Sequence, residues 1–209
     1  MIRTFVAVEL ETSLRQAIGR MQEQLKDRLQ AELREMPRAR LQWVRPESIH
    51  LTLKFLGDVE ETRIDGMCRA LGDAIGALPP FAVGIQGVGV FPDVRAPRVL
   101  WLGVSSRSGP PSESDPLSRL AGDVDQALHR LGFPLETRSF SPHLTLARIK
   151  ERPHEIGKAL SECQVIQTSI SLGTLAVRAV ALMKSDLTPS GSRYTRLCDI
   201  QLAESMTAE

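Results

Sequence analysis

Ile49-His50-Leu51-Thr52-Leu53-Lys54-Phe55-Leu56 alternates polar and apolar residues from His50 to Leu53, the period of a β-strand with one buried face. His50 and Thr52 then point one way, and Leu51 and Leu53 the other. The tetrapeptide returns as His143-Leu144-Thr145-Leu146 inside a second predicted strand over 142–149. Set side by side, two such strands aim two imidazoles and two hydroxyls at one cleft, with leucines anchoring the far face.

The neighbouring segments supply the rest of an α+β fold. Residues 2–9 hold the run Phe5-Val6-Ala7-Val8 of another strand, and 41–45 a further one. Between them Leu14, Ile18, Met21, Leu25 and Leu29 recur at helical spacing. They predict a helix capped by Thr12 or Ser13, running to about Met36 and stopped by Pro37. Gly57 is expected to end the His50 strand. A second helix is expected over 60–77, with Ile64, Met67, Leu71 and Ile75 on one side. Residues 81–91 alternate like a strand interrupted by Gly84, Gly87 and Gly89. Their G-x-x-G-x-G order, with no helix after it, is not a dinucleotide fingerprint; bulges or close packing explain it better. Further strands are expected over 99–104, 168–172, 175–184 and 193–202, and helices over 116–131 and 154–161. Gly132 is the expected C-cap of the first of these helices, and residues 105–115 read as a loop. Several strands are joined by short loops rather than crossover helices, which favours mainly antiparallel sheets. Each half holds a long helix and several strands, as a duplicated, two-lobed domain would.

Composition narrows the function classes. The 209 residues are 42% hydrophobic and 24% charged, enough for a core and too apolar for global disorder. With 26 basic against 25 acidic side chains, net +1, the chain is no general coat for nucleic acid. A local arginine cluster that binds a small anion or one RNA end remains open. Cys68, Cys163 and Cys198 are few, odd in number and far apart, so neither a disulfide framework nor a structural zinc site is expected. The first apolar run is too short for a signal peptide or a membrane span and is broken by Glu9 and Glu11. A soluble, cytoplasmic protein without membrane contact is expected.

Two histidines and two threonines on one face suit phosphodiester chemistry. Histidine titrates near neutrality, so a pair supplies one base and one acid, and two hydroxyls can hold the oxygens of an anion. Zinc fits less well, because the residue two after each histidine is threonine rather than a ligand. A P-loop and a G-x-S-x-G elbow are both missing from the sequence. Trp43 and Tyr194 are candidates to stack on a base or to pack between lobes. Trp101 is expected in the core, His129 at a helix C-terminus and His154 on the surface. By strand alternation Lys54 falls on the His50 face.

The paired H-x-T-x motifs resemble the signature of the two-histidine (2H) phosphoesterases. The wider matches resemble their RNA 2′,3′-cyclic phosphodiesterase branch, historically called 2′-5′ RNA ligases. They include Arg3-Thr4-Phe5-Val6-Ala7, Trp43-Val44, Phe91-Pro92, Pro97-Arg98-Val99-Leu100-Trp101, Phe140-Ser141-Pro142, Ala147-Arg148, Ser185 and Gly191-Ser192-Arg193-Tyr194. The resemblance spans nearly the whole chain in order. It implies a single pseudo-twofold domain over 1–209, with two lobes, helices packed outside and one cleft lined by both motifs.

The resemblance also implies roles. His143 would be the general base that activates water, and His50 the general acid that protonates the leaving ribose O3′, giving a 2′-phosphate. Thr52 and Thr145 would hold the non-bridging oxygens. An arginine at position 148 would help neutralise the phosphate, although strict alternation puts Arg148 on the leucine face unless the strand bulges or twists. The motifs are identical, so the assignment of acid and base rests on the resemblance alone. The substrate would be an RNA end or a cyclic nucleotide, turned over by a monomer without cofactor or metal, with reversible 2′-5′ joining by the same site. Two alternatives stand beside this: a phosphodiesterase for another cyclic or 2′,5′-linked nucleotide, and a nucleotide-binding module without turnover.

Overall fold

The computed structural model describes residues 1–36, 38–105, 115–166, 170–188 and 191–203. The helix stop expected at Pro37 and most of the loop expected over 105–115 lie outside them. In chain order the elements are β1 (Ile2–Glu9), α1 (Thr12–Arg34), β2 (Arg40–Trp43), β3 (His50–Val59), α2 (Ile64–Ile75), β4 (Phe81–Phe91) and β5 (Val99–Ser105). Then follow α3 (Pro116–His129), β6 (His143–Glu151), α4 (Pro153–Glu162), β7 (Ser171–Val177), β8 (Ala179–Thr188) and β9 (Gly191–Gln201).

The strands run in the order β7-β4-β5-β6-β3-β1-β8-β9, with β2 added alongside β6. All of the pairings are antiparallel. The two expected sheets therefore meet at the histidine strands, where β3 joins β6 through the single registered pair Leu51 and Leu144. α1 and α4 pack together beside β6 and β7, and α2 and α3 pack together beside β3 and β9. Leu51, Leu53, Leu144 and Leu146 are buried in the large core cluster that includes the helix stripes. The leucine face is thus the helix face, and the histidine face stays open.

The helix stripes are the predicted ones. Leu14, Ile18, Met21, Leu25 and Leu29 of α1 are buried, as are Met67, Leu71 and Ile75 of α2. Each fully buried Leu or Ile contributes roughly 1.5–3 kcal/mol. α3 ends at His129 with Arg130 as its C-cap, short of the expected 131, and Gly132 closes the turn that follows: its left-handed φ of 88° lets Phe133 N–H reach Leu128 O at 3.2 Å, and its own N–H reaches His129 O at 2.8 Å.

Several expectations are corrected. Neither Thr12 nor Ser13 caps α1: the helix starts as soon as the chain leaves the sheet, with Glu11 at the N-cap and no side-chain cap bond. Gly57 does not end its strand. Its φ of 72° sits at an irregularity opposite Thr4, and β3 continues to Val59. The second helix is shorter than 60–77, because Glu61–Arg63 forms a 3-10 turn before Ile64. Gly173, at φ 92°, lies inside β7, and the break between the next strands falls at Arg178. Cys68 of α2 and Cys198 of β9 form a disulfide across a sequence separation of 130. Packing of α2 on β9 brings together cysteines that their distance in sequence had kept apart. Cys163 stays a free thiol.

Candidate active site

Antiparallel pairing about Leu51 and Leu144 sets His50 opposite Thr145 and Thr52 opposite His143. In a regular ladder, such cross-strand partners have Cβ atoms about 4.5–5.5 Å apart, and the diagonal pair of histidines about 7–8 Å. That spacing leaves room for one tetrahedral group between the two imidazoles. All four side chains line one cavity.

Each imidazole is held the same way. His50 Nδ1 lies 2.9 Å from Ser48 O, and His143 Nδ1 lies 2.7 Å from Ser141 O. A carbonyl only accepts, so Nδ1 carries the proton and donates, and Nε2 is left to work in the cleft. Aromatic rings pin the planes. Tyr194 meets His50 edge-on, with centroids 4.9 Å apart at 88°, and Phe91 meets His143 at 5.0 Å and 83°. Phe5 lies against His50 at 4.7 Å. Trp101 flanks His143 at 6.4 Å.

The position of Arg148 follows from a bulge. Leu100 is paired with Ala147 and Trp101 with Thr145, so Leu146 has no partner on β5 and is the extra residue. Alternation reverses there: Leu146 and Ala147 are both buried, and Arg148 returns to the histidine side, where it lines the cavity. The Leu146 carbonyl accepts from Val44 N–H at 2.8 Å and from the buried Gln22 amide at 3.0 Å. β3 has the same bulge, because Val6 pairs with Lys54 and Ala7 with Thr52. This corrects the expectation for Lys54. It is buried on the leucine side, donates to Pro134 O at 2.7 Å and forms an ion pair with Asp125. Phe55 takes the cleft position equivalent to Arg148.

The cavity has a volume of about 680 Å³. Ser185, Leu187, Thr188, Ser192 and Tyr194 of β8 and β9 form one side, and Gln42, Arg45, Arg148 and Lys150 the other, with Arg3 and Phe55 at the β1–β3 end. Among the described residues, no carboxylate side chain lines it. Burial pushes the His50 imidazole down to about 4, with Arg148 and Arg15 adding to the effect while Ser48 O and Glu9 oppose it. Among the described residues, no three His, Cys, Asp or Glu side chains are grouped to hold a metal ion.

The structure thus brings together His50, Thr52, His143, Thr145 and Arg148. Tyr194 packs on His50, and Trp43, with Lys26 Nζ 5.5 Å over its ring, lines the cavity. Trp101 was expected in the core but is half-buried on the histidine face, registered opposite Thr145. Gly89 makes this possible, because a Cβ there would strike the indole. His154 is exposed, and His129 bonds Phe133 O at 3.0 Å. Sequence reasoning missed Phe5, Phe55, Phe91, Gln42, Arg45 and Lys150. One signal was present: serine precedes each histidine by two residues, so the repeat is really S-x-H-L-T-L.

A family model described as LigT like Phosphoesterase matches residues 8–101 and 109–194. The chain belongs to the LigT-like phosphoesterase family. Among its LigT-like relatives, the RNA 2′,3′-cyclic phosphodiesterase of Methanothermobacter thermautotrophicus is 35% identical over 196 residues, covering 93% of this chain and 95% of the relative. The protein of that name from Archaeoglobus fulgidus is 32% identical, covering 94% and 98%. The fold is also that of solved structures. TT0787 of Thermus thermophilus superposes with a TM-score of 0.70 at 26% identity, covering 96% of this chain and 98% of that one. Escherichia coli LigT complexed with 3′-AMP gives 0.68 at 25% identity, covering 96% and 98%. Among the described residues, no helix is long and apolar enough to cross a membrane.

Proposed function

We propose that this chain hydrolyses RNA 2′,3′-cyclic phosphate ends to 2′-phosphomonoesters by general acid–base catalysis between His50 and His143. The observation that carries the reading is the matched pair of Nδ1–carbonyl bonds, which leaves one Nε2 from each motif for the same cleft. Relatives over nearly the whole chain bear the name of this activity.

In the proposed reaction, neutral His143 takes a proton from water as the oxygen attacks phosphorus in line. The P–O3′ bond breaks, and protonated His50 delivers its proton to O3′. Thr52 and Thr145 donate to the non-bridging oxygens, and Arg148 offsets the charge they gather. Proton transfer by each positioned group contributes about 10²–10⁴-fold. The same displacement with a 5′-hydroxyl in place of water joins two ends through a 2′-5′ bond: His143 takes the hydroxyl proton, the P–O3′ bond breaks and His50 protonates O3′. The enzyme works as a single two-lobed domain, one motif from each lobe, monomeric, cytoplasmic, and without metal or cofactor.

The lowered titration of His50 bears on this scheme, since the acid must carry a proton. In the free enzyme at neutral pH His50 is neutral, so the proton arrives with the anionic substrate, which favours the imidazolium. The same observation favours a second assignment, in which His50 is the base and His143 the acid. With the substrate held the same way round, the two differ in product: the first breaks P–O3′ and leaves a 2′-phosphate, and the second breaks P–O2′ and leaves a 3′-phosphate.

A 2′,3′-cyclic nucleotide, assayed with excess chelator and followed by phosphorus NMR, tests the reading. Turnover to a 2′-phosphate is expected. Binding without turnover would mean a nucleotide-holding module. Turnover of only other cyclic or 2′,5′-linked nucleotides would reassign the substrate.

A further inference from the structure

The cleft carries more positive charge than one reacting phosphate uses. Arg3, Arg45, Arg148 and Lys150 line it, none of them in an ion pair among the described residues. The chain as a whole is nearly neutral, at net +1. A concentration of cations that no carboxylate faces among the described residues is therefore local to this cleft and selects for several anionic charges at once.

Two of these cations form a row. After the Leu146 bulge, Arg148 and Lys150 are exposed on either side of buried Ile149. Both point to the histidine face, roughly 6.6 Å apart along the strand. Gln42 of β2 is registered opposite Arg148 and joins the same face. The row leads away from Thr145 and stops at Glu151, which pairs with Arg40 at 3.6 Å. The other wall is different in kind. Phe55 and Leu187 are 62% and 72% exposed there, suited to the uncharged parts of a nucleotide.

We propose that Lys150 and Gln42 form a subsite for the phosphodiester on the 5′ side of the terminal nucleotide, so that the cleft prefers an oligonucleotide end to a cyclic mononucleotide. This rests on the cyclic-phosphate reading of the site. Arg148 serves the reacting phosphate, and Lys150, one strand repeat further out, meets the next one. Gln42 donates its amide N–H beside them.

The test compares kcat/KM for a 2′,3′-cyclic mononucleotide with that for a dinucleotide ending in the same cyclic phosphate. Wild type should favour the dinucleotide, and Lys150→Gln should lower that preference by about 5- to 10-fold, the worth of one exposed charge-assisted bond. Lys150→Arg should keep it. The slope of log binding constant against log salt for the dinucleotide should fall by about 0.7 in Lys150→Gln. Binding of a dinucleotide with a terminal 2′-phosphate, measured alongside, should weaken by the same factor. An unchanged preference, or its loss in Arg3→Gln rather than Lys150→Gln, would overturn the subsite. An effect of Lys150→Gln confined to joining with a 5′-hydroxyl strand would overturn it too, assigning the phosphate to the second strand. If neither cyclic substrate is turned over, the activity reading falls, and the binding measurement still decides whether Lys150 meets a phosphate.

Discussion

Leu53 and Leu146 occupy the same place in two strands: each is the extra residue of a bulge, three positions after its histidine. Each bulge reverses the alternation that follows. Lys54 and Ala147 turn into the protein, and Phe55 and Arg148 turn to the cleft. The backbone repeats itself while the side chains diverge, so one motif gains a buried lysine and an aromatic wall and the other gains a cation.

Lys54 and Arg148 should therefore fail in opposite ways. Lys54→Met leaves the partly buried Asp125 without its ion-pair partner, and losing a charge-assisted bond there costs about 1.5–3 kcal/mol. Its melting temperature should drop clearly, with kcat in the surviving fold near wild type. Arg148→Ala should melt like wild type and lose about 10- to 100-fold in kcat/KM, the worth of one charge-assisted bond in the transition state. Thermal melts and steady-state kinetics on both variants check this. A stable, active Lys54→Met or a fully active Arg148→Ala would contradict the bulge argument.

The edge-on rings should hold the imidazoles in working orientation. Aromatic contacts of this kind are worth about 0.5–1.5 kcal/mol, or roughly 2- to 12-fold. Tyr194→Leu and Phe91→Leu should each lower kcat within that range with little change in KM. Tyr194→Phe keeps the ring and should stay near wild type. A loss in Tyr194→Phe equal to that in Tyr194→Leu would show that the hydroxyl, not the ring, is what matters.

How much of this was legible beforehand depends on the length scale of each signal. Period-two and helical patterns are local, so β1, β3, β6 and the stripes of α1 and α2 were readable. The repeated His-x-Thr placed four cleft residues on shared faces. A bulge, by contrast, is set by what lies across the strand. Nothing near Leu146 in sequence announces that Gln22 and Val44 converge on its carbonyl. Alternation therefore puts Lys54 on the wrong face, and it cannot supply the bulge that turns Arg148 to the cleft. Trp101 was misplaced because its room comes from Gly89 on the neighbouring strand, and the Cys68–Cys198 pair because it spans two halves of the chain.

Stability should fall with acid through His50. The unfolded imidazole titrates near 6.5 and the folded one near about 4. Above pH 6.5 both states are neutral and the group has no effect. As pH falls below that, the unfolded chain takes up a proton that the folded one refuses. Stability declines until about pH 4, by up to about 3 kcal/mol. Urea unfolding at pH 7 and pH 4.5 should show a larger loss for wild type than for His50→Asn. Equal losses would mean that His50 is not held neutral in the fold.

The disulfide closes a long loop and should stabilise the fold by constraining the unfolded chain, by up to about 5 kcal/mol for a separation of 130. Reductant, or Cys68→Ser with Cys198→Ser, should lower the melting temperature. Free-thiol titration of the denatured oxidised protein should find one thiol, Cys163. Three thiols and no effect of reductant would mean that the pair is not closed in solution.

Two histidines, without metal, are proposed to open a cyclic phosphate. The most direct test is turnover of one 2′,3′-cyclic nucleotide, in excess chelator, by wild type, His50→Ala, His143→Ala and the double variant. Full wild-type activity is expected, with a loss of about 10²–10⁴-fold in each single variant and a double variant little worse than either single, because the pair acts as a unit. Near wild-type rates in either single variant, or wild-type activity lost to chelator and restored by a divalent ion, would contradict it.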